Sequence, residues 1–173
     1  GGSGIRGDCR PAENRRRNGT EKIPVIIRQT EEENLNDVYS LALRSLDEYF
    51  VPEIFDYFMR QWRRGQLVAC LPTGKIIGFI VGSLLGSGRA AVSLFAVDER
   101  YRGMGVGTKL LSSLRQRALM EGITTIQLEL RTENERALAF YRRNGFAEVE
   151  YLPGFYNDGG DGIRMIGPVR TET

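Results

Sequence analysis

The amino-acid sequence predicts an α/β fold in which one mixed, mostly antiparallel sheet of about seven strands is flanked by about four helices. Two observations lead to this prediction. Apolar residues recur at helical spacing in some segments and at strand spacing in others. The predicted element order is β-α-α-β-β-β-α-β-α-β-β, and strands and helices that alternate in this way share one core.

The first half of the folded region is predicted to hold one strand, two helices and a three-stranded meander. Val25–Arg28 reads as a strand, and Thr30 with Glu33 forms a capping-box pattern that predicts a helix start. Pro52 is predicted to open the second helix, since proline is tolerated in a first turn. Turn sequences separate the three predicted strands of an antiparallel meander, 67–71, 76–85 and 90–97.

The second half is predicted to alternate helices and strands. A loop over 98–106 leads into a helix that Gly122 ends, and the strand 123–130 follows. Apolar and polar residues alternate along that strand, as expected for a half-buried one. The Asn144-Gly145 pair is a C-terminal signal for the helix predicted at 134–144. The last two strands are predicted at 146–152 and 163–169.

Composition excludes several classes of protein. The 173 residues are 41% hydrophobic and 27% charged with a net charge of +2, which is typical of one globular domain rather than a disordered or membrane protein. No apolar run approaches the roughly 18 residues of a spanning helix, so no membrane partner is expected. The net charge is too small to indicate nucleic acid by itself.

The counts of cysteine and histidine restrict the chemistry. Cys9 and Cys70 are too few for a disulfide framework and lack metal-ligand spacing, so free thiols in a reducing cytoplasm are predicted. The sequence contains no histidine. This excludes His-ligated zinc and any Ser-His or Cys-His nucleophile pair, and no metal is expected.

Residues 1–22 form a basic leader that is excluded from the predicted fold. Within the first twenty residues, five arginines outweigh Asp8 and Glu13. The leader is interpreted as disordered or derived from cloning, because such polar segments bury too little to fold. An electrostatic tail for RNA or a ribosome surface is the alternative. Residues 23–173 are predicted to form a single domain.

The segment Arg100–Thr108 has glycines at 103, 105 and 107, between a predicted strand and a helix start. Glycines let the backbone approach a ligand, and successive N–H groups at a helix N-terminus bind pyrophosphate without a metal. The spacing is neither that of a Walker loop nor that of a dinucleotide fingerprint. A tight turn that binds nothing is the alternative explanation.

The sequence resembles the GNAT acetyltransferases. Arg102-x-x-Gly105-x-Gly107 matches their R/Q-x-x-G-x-G/A signature, and the resemblance extends over about residues 25–169. The flanking residues that match the family's pattern are Leu94–Val97, Leu128–Arg131, Asn134, Ala137, Tyr141 and Gly145–Phe146. The resemblance implies that residues 23–173 form one GNAT domain.

Within that family the pattern is most similar to the RimI- and Ard1-type N-terminal acetyltransferases. Gly154–Asp161 resembles their G-Y-Y-x-D-G-x-D segment, and Val51-Pro52-Glu53 resembles the L-P-E of their acceptor site. Four positions depart from the pattern: Phe155 replaces a Tyr, Val51 replaces a Leu, and Gly160 and Gly162 stand where larger residues are usual. These departures concern acceptor specificity rather than the cosubstrate.

The resemblance implies acetyl-CoA as cosubstrate and assigns residues to it. Backbone groups of Phe95, Ala96 and Val97 would bind the pantetheine arm, and an N–H near Val97 would polarise the thioester oxygen. Asn134 would donate to the pantetheine. The residues that would hold the pyrophosphate are Gly103, Met104, Gly105, Val106, Gly107 and Thr108. Arg102 and Tyr141 are also assigned to the cosubstrate.

Direct attack of an amine on the thioester requires two proton transfers. The resemblance makes Glu129 the base, acting directly or through water, and Tyr141 the general acid. A solvent-facing carboxylate and a core aromatic are the respective alternatives. An α-amine, with a pKa of about 7.7–8.0, is easier to deprotonate than lysine at about 10.4 by roughly 3.5 kcal/mol, which favours protein N-termini as acceptors.

The predicted acceptor-binding residues are Val51, Pro52, Glu53, Phe155 and Tyr156. The predicted partner is a polypeptide N-terminus, on a ribosomal or nascent protein. Two alternatives stay open within the family: a small-molecule amine or a lysine side chain as acceptor, and a non-catalytic acetyl-CoA sensor. RNA binding through the arginine tail is the least favoured alternative, and the oligomeric state is left open.

Overall fold

The computed structural model describes residues 23–170. Two predicted segments lie outside that range: the basic leader, which includes Cys9, and the last three residues of the predicted domain. Within it, no helix is long and apolar enough to cross a bilayer.

The observed order of elements confirms the predicted one. The strands are β1 Ile26–Gln29, β2 Gln66–Cys70, β3 Ile76–Gly86, β4 Arg89–Val97, β5 Thr125–Arg131, β6 Ala147–Leu152 and β7 Gly162–Pro168. The helices are α1 Leu35–Ser45, α2 Glu53–Gln61, α3 Val106–Met120 and α4 Glu135–Arg143. Short 3₁₀ turns precede α1, β2 and the glycine-containing loop.

All seven strands form one mixed sheet in the order β1-β2-β3-β4-β5-β7-β6. Only β4 and β5 are parallel, and they pair over just three residues, from Arg89↔Thr125 to Ala91↔Gln127. Beyond Ala91 the two strands separate, while β5 stays paired with β7 up to Arg131. A wedge-shaped gap therefore opens between the carboxyl-terminal halves of β4 and β5.

Two apolar cores cover the sheet unequally. On one face, α3 and α4 pack over strands from both halves of the sheet, with Leu110, Leu114, Ile126, Leu128 and Met165 at the centre. On the other face, α1 and α2 pack on β2 to β4, and the buried residues of this second core include none from β5, β6 or β7 among residues 23–170. The second face of β5–β7 carries mainly polar side chains, with Val149 and Ile166 among them.

The helix start predicted at Thr30 differs from the observed one. Thr30 is buried and its N–H donates to Gln66 O at 2.8 Å, which extends the pairing of β1 with β2. The capping box is formed by Glu31, whose N–H donates to Asn34 Oδ1 at 2.8 Å, and it caps the 3₁₀ turn Glu32–Asn34 that leads into α1. The predicted Thr30–Glu33 box is wrong because strand pairing uses the Thr30 backbone first. Pro52 caps α2, which begins at Glu53.

Candidate active site

The edge of β4 that faces the gap carries unpaired main-chain groups. Asp98 N–H donates to Ile77 O at 2.8 Å. Since hydrogen-bonded and non-hydrogen-bonded pairs alternate along an antiparallel ladder, Ala96 faces β3 while Phe95 and Val97 direct their N–H and C=O groups into the gap. Arg102 Nε donates to Val97 O at 3.1 Å. The N–H groups of Phe95 and Val97 are left for a ligand.

The glycine loop forms an anion cradle at the start of α3. Gly103 and Gly105 have φ values of 77° and 86°, and no atom lies within 4 Å of the position a Cβ would take at either. The helix's first bond runs from Lys109 N–H to Gly105 O at 3.1 Å. In the described part of the chain, the N–H groups of residues 103–108 donate to no protein acceptor. Free donors beside open space fit a diphosphate.

Asp98 fixes the start of that loop. Its buried carboxylate accepts from Arg100 N–H at 3.0 Å and pairs with the side chains of Arg44 at 3.4 Å and Arg100 at 3.5 Å. Burial alone would raise the pKa of Asp98, but the hydrogen bonds and charges of Arg100, with the charge of Arg44, outweigh it and hold that pKa below its usual value. The carboxylate thus stays charged and anchors the turn.

Two arginines bring positive charge to the loop. Burial lowers the pKa of the Arg102 guanidinium, and the nearby charge of Arg136 lowers it further. Arg136 lies on the first turn of α4 and makes no ion pair with any residue of 23–170. No sequence pattern identifies Arg136, because only its position beside Arg102 in space distinguishes it from other surface arginines. An anion bound between them would relieve the repulsion.

Asn134 has a structural task beside the predicted one. Its Oδ1 accepts from Ala137 N–H at 3.1 Å, so it is the N-cap of α4. Its Nδ2 donates to no described residue. The side chain can therefore cap the helix and donate to a ligand at the same time.

Tyr141 packs as a buried aromatic, the alternative considered for it. The ring packs edge-on against Phe140 and Phe146 at 5.3 and 5.4 Å and tilts against Phe95 at 6.2 Å. The residue is 7% exposed, and burial raises the pKa of its phenol. Its hydroxyl has no hydrogen-bond partner among the described residues. Tyr141 is thus a core aromatic whose buried donor is left unpaired, next to a residue that lines the gap.

Glu129 lies on the polar face of β5, as the alternation of the strand predicts. Its Oε2 accepts from Gln127 Nε2 and Arg164 Nε, both at 2.8 Å, and its side chain is 23% exposed. Arg164 sits directly opposite Glu129 on β7 and also pairs with Glu150 on β6. Oε1 of Glu129 has no partner among residues 23–170. Arg164 was not among the predicted site residues, since no pattern near Glu129 reveals a partner 35 residues away.

Glu129 and Tyr141 lie on opposite faces of the sheet. Leu128 and Leu130 point towards the core beneath α3 and α4, so Glu129, between them, points the other way. Tyr141 belongs to α4 and packs within that core. The gap between β4 and β5 separates them, so two ligands entering from opposite faces would meet between a carboxylate and a phenol.

The predicted acceptor residues border the polar face. Val51 and Phe155 are exposed, Tyr156 is half-buried, and the Phe155 and Tyr156 rings meet edge-on at 5.0 Å. Pro52 and Glu53 are exposed at the start of α2. An open groove of about 470 Å³ continues along the same face of the sheet, lined by Arg89, Gln127, Val149, Glu150, Arg164 and Ile166. Among residues 23–170, no cluster of three or more His, Cys, Asp or Glu could hold a metal ion.

Comparisons with known proteins agree with this geometry. The sequence profile of the acetyltransferase (GNAT) family matches residues 35–146. N-alpha-acetyltransferase 30 of Schizosaccharomyces pombe is 31% identical over 139 residues, which cover 76% of this chain and 90% of that protein.

Two solved structures extend the likeness to three dimensions. Ard1 from Thermoplasma volcanium has a TM-score of 0.82 at 33% identity, covering 86% of this chain and 100% of that one. A chain of the NatC complex bound to Gag peptide and CoA has a TM-score of 0.78 at 25% identity, covering 84% of this chain and 99% of that one. The fold, the glycine loop and the family match lead to one conclusion: this chain belongs to the acetyltransferase (GNAT) family.

Proposed function

We propose that this protein transfers the acetyl group of acetyl-CoA to the α-amino group of a polypeptide N-terminus. The observation that carries the proposal is the gap between β4 and β5. The main-chain anion cradle and Tyr141 lie on one side of this gap, and Glu129 lies on the other. The relatives support the choice of acceptor, because they are themselves named N-alpha-acetyltransferases.

On the donor side, main-chain groups do most of the binding. The N–H groups of residues 103–108 would hold the diphosphate at the positive end of the α3 dipole, with Arg102 and Arg136 adding charge. Phe95 and the Asn134 amide would bind the pantetheine arm. Val97 N–H would stabilise the negative charge that develops on the thioester oxygen. Acetyl-CoA supplies the activated acetyl group as a thioester.

On the acceptor side, Glu129 would receive the proton that the amine loses, directly or through one water. The nitrogen forms a bond to the acetyl carbon while the carbon–sulfur bond breaks. Tyr141 would donate its proton to the departing sulfur or hydrogen-bond to it, since its hydroxyl is a buried donor with no partner in the described range 23–170. Arg164 and Gln127 fix Oε2 of Glu129, which leaves Oε1 for the proton.

The proposed acceptor class follows from the use of a carboxylate, a weak base, which favours an amine that loses its proton easily. The free amine fraction of an N-terminus near pH 7 is on the order of a tenth, whereas lysine is about 2.5 pKa units less favourable. Val51, Pro52, Glu53, Phe155 and Tyr156 are proposed to contact the first residues of the acceptor. A ribosomal or nascent protein as the acceptor, and a cytoplasmic location, remain predictions.

The test is to incubate the protein with acetyl-CoA and a library of peptides that vary at the first two residues and carry an internal lysine. Fragment-ion mass spectrometry then locates each added acetyl group. We expect acetylation of the α-amine and a dependence on the first residues. Peptides with a formylated N-terminus are the matched control, and they should remain unmodified.

Acetylation of lysine alone would overturn the choice of acceptor. Tight binding of acetyl-CoA with no acetylation of any amine would instead support the sensor alternative.

A further inference from the structure

The two loops that border the acceptor side are joined by one side chain, Arg131, at the end of β5. Its Nε donates to Glu48 Oε2 at 2.7 Å, and Glu48 lies in the loop 46–52 between α1 and α2. Its Nη1 donates to Asp158 Oδ1 at 3.2 Å, and Asp158 lies in the loop 153–161 between β6 and β7. Nη2 is within 3.2 Å of the second oxygen of Asp158. A guanidinium is suited to this task, because its planar fork can engage two carboxylates at once.

Arg131 also supports one of the proposed acceptor-binding rings. Its Cζ lies 4.3 Å from the centre of the Tyr156 ring, a cation–π distance, and Tyr156 in turn meets Phe155 edge-on. The side chain of Arg131 is 18% exposed, although its two partner carboxylates are much more open to solvent. The arginine therefore fills the space beneath the aromatic pair as well as linking the loops.

Two glycines lie against Arg131 and the aromatic pair, Gly160 in the second loop and Gly162 at the start of β7. A Cβ at Gly160 would lie 2.4 Å from Arg131 Nη1, and a Cβ at Gly162 would lie 3.2 Å from Tyr156 and 3.3 Å from Phe155. Neither glycine has a positive φ, so a side chain there would act through space, by displacing the end of Arg131 or pressing on the two rings. Two of the four departures from the RimI and Ard1 pattern therefore lie beside these side chains.

Removing the arginine would leave a cluster of negative charge. Glu48 and Asp158 would lose the cation between them, and Glu129 and Glu133 lie near enough to act electrostatically on Tyr156. Like charges at such separations repel, so the loss of Arg131 would favour a wider separation of the two loops.

We propose that Arg131 is a positioning residue that holds the loops 46–52 and 153–161 at the separation an acceptor N-terminus requires. The set formed by Arg131, Glu48, Asp158 and Tyr156 is called the Arg131 clamp. The proposal rests on the proposed function, because it assigns the clamp to the acceptor. The clamp acts on the acceptor side and not on the cosubstrate, since the contacts of Arg131 are with Glu48, Asp158 and Tyr156.

The first test compares kinetics of Arg131→Met, Arg131→Lys and Gly160→Ala with the parent protein. We expect the KM for the peptide to rise about tenfold in Arg131→Met and less in Arg131→Lys, while the KM for acetyl-CoA stays within about twofold. Gly160→Ala keeps every charge and crowds the guanidinium, so it should reproduce part of the effect. Arg63→Met removes a similar exposed pair, with Glu31, away from the site, and is the control.

The second test needs no activity and separates the clamp from the proposed function. Hydrogen–deuterium exchange should accelerate at the amides of Tyr156, Gly159 and Gly160, which are hydrogen-bonded within their loop, and in the loop 46–52. Arg63→Met should leave these amides unchanged. Unaltered exchange in Arg131→Met would overturn the clamp, whatever the kinetics. Faster exchange with an unchanged peptide KM would show that the loops are held but do not bind the acceptor, which would also overturn the proposal.

Discussion

The two sides of the gap between β4 and β5 consist of different chemical groups. On the donor side, main-chain N–H groups, glycines with positive φ and apolar rings make the site. On the acceptor side, an ion-pair network of Glu129, Arg164, Glu150 and the Arg131 clamp makes it. Acetyl-CoA is the same donor whatever the acceptor, so it can be bound by the backbone. Acceptor recognition is left to side chains, which can change without altering the fold.

The largest expected effect is on the acceptor side, at Glu129. Glu129→Gln keeps the size of the side chain and can still accept from Arg164, but it cannot take a proton. We expect kcat/KM for the peptide to fall about 10²- to 10⁴-fold, with the affinity for acetyl-CoA unchanged. Steady-state kinetics and calorimetry measure the two quantities. Glu148→Gln, which changes another paired carboxylate on β6, is the control.

Tyr141→Phe should be the next largest effect, and it tests the donor side. The hydroxyl has no partner among the described residues, so its loss should leave folding almost unaffected while kcat falls about ten- to hundredfold. The dissociation constant for acetyl-CoA should stay within about twofold. If kcat did not change, Tyr141 would be a core aromatic only, and the acid would have to be sought elsewhere.

Gly105→Ala tests whether the cradle depends on backbone conformation. A residue with a Cβ at φ of 86° costs about 1–2 kcal/mol, which the loop can relieve only by moving its N–H groups. We expect the KM for acetyl-CoA to rise about tenfold and the peptide KM to stay constant. Gly122→Ala introduces the same strain at φ of 80° after α3, and it should lower stability without changing either KM.

Asn134 allows its cap and its ligand contact to be separated. Asn134→Ser keeps a side-chain oxygen for the α4 N-cap but loses the amide NH₂. Stability measured by urea unfolding should therefore be retained, while the KM for acetyl-CoA rises about two- to tenfold, the value of one hydrogen bond. A loss of stability without a change in that KM would mean that Asn134 only caps the helix.

The order of strands and helices could be predicted from periodicity, and the position of the glycine loop before α3 from its local spacing. Asn134 and Tyr141 were assigned by the family resemblance, and their roles stay predictions. The acceptor side depends on pairs that are distant in sequence. Arg131 and Glu48 are 83 residues apart, and Arg164 meets Glu129 only because β7 inserts between β5 and β6. The same kind of long-range pairing engages the Thr30 backbone, so the capping box lies at Glu31 and Asn34, before the 3₁₀ turn that leads into α1.

The smallest expected effect is on stability at high pH. Burial raises the pKa of Tyr141 above the value of about 10 of an unfolded chain, so its stabilisation is complete below about pH 10 and is lost as the pH rises above it. The free energy of unfolding of the parent should then fall by up to about 1.4 kcal/mol per pH unit more steeply than that of Tyr141→Phe. Parallel curves in urea unfolding would show that the phenol ionises freely.

The central claim is that acetyl-CoA enters the gap from the side of α3 and α4 through the main-chain cradle at residues 103–108. Isothermal titration calorimetry of the full chain with acetyl-CoA tests it most directly. We expect saturable one-to-one binding that Gly105→Ala weakens and Arg131→Met leaves unchanged. The absence of saturable binding, or equal weakening by both substitutions, would contradict the claim.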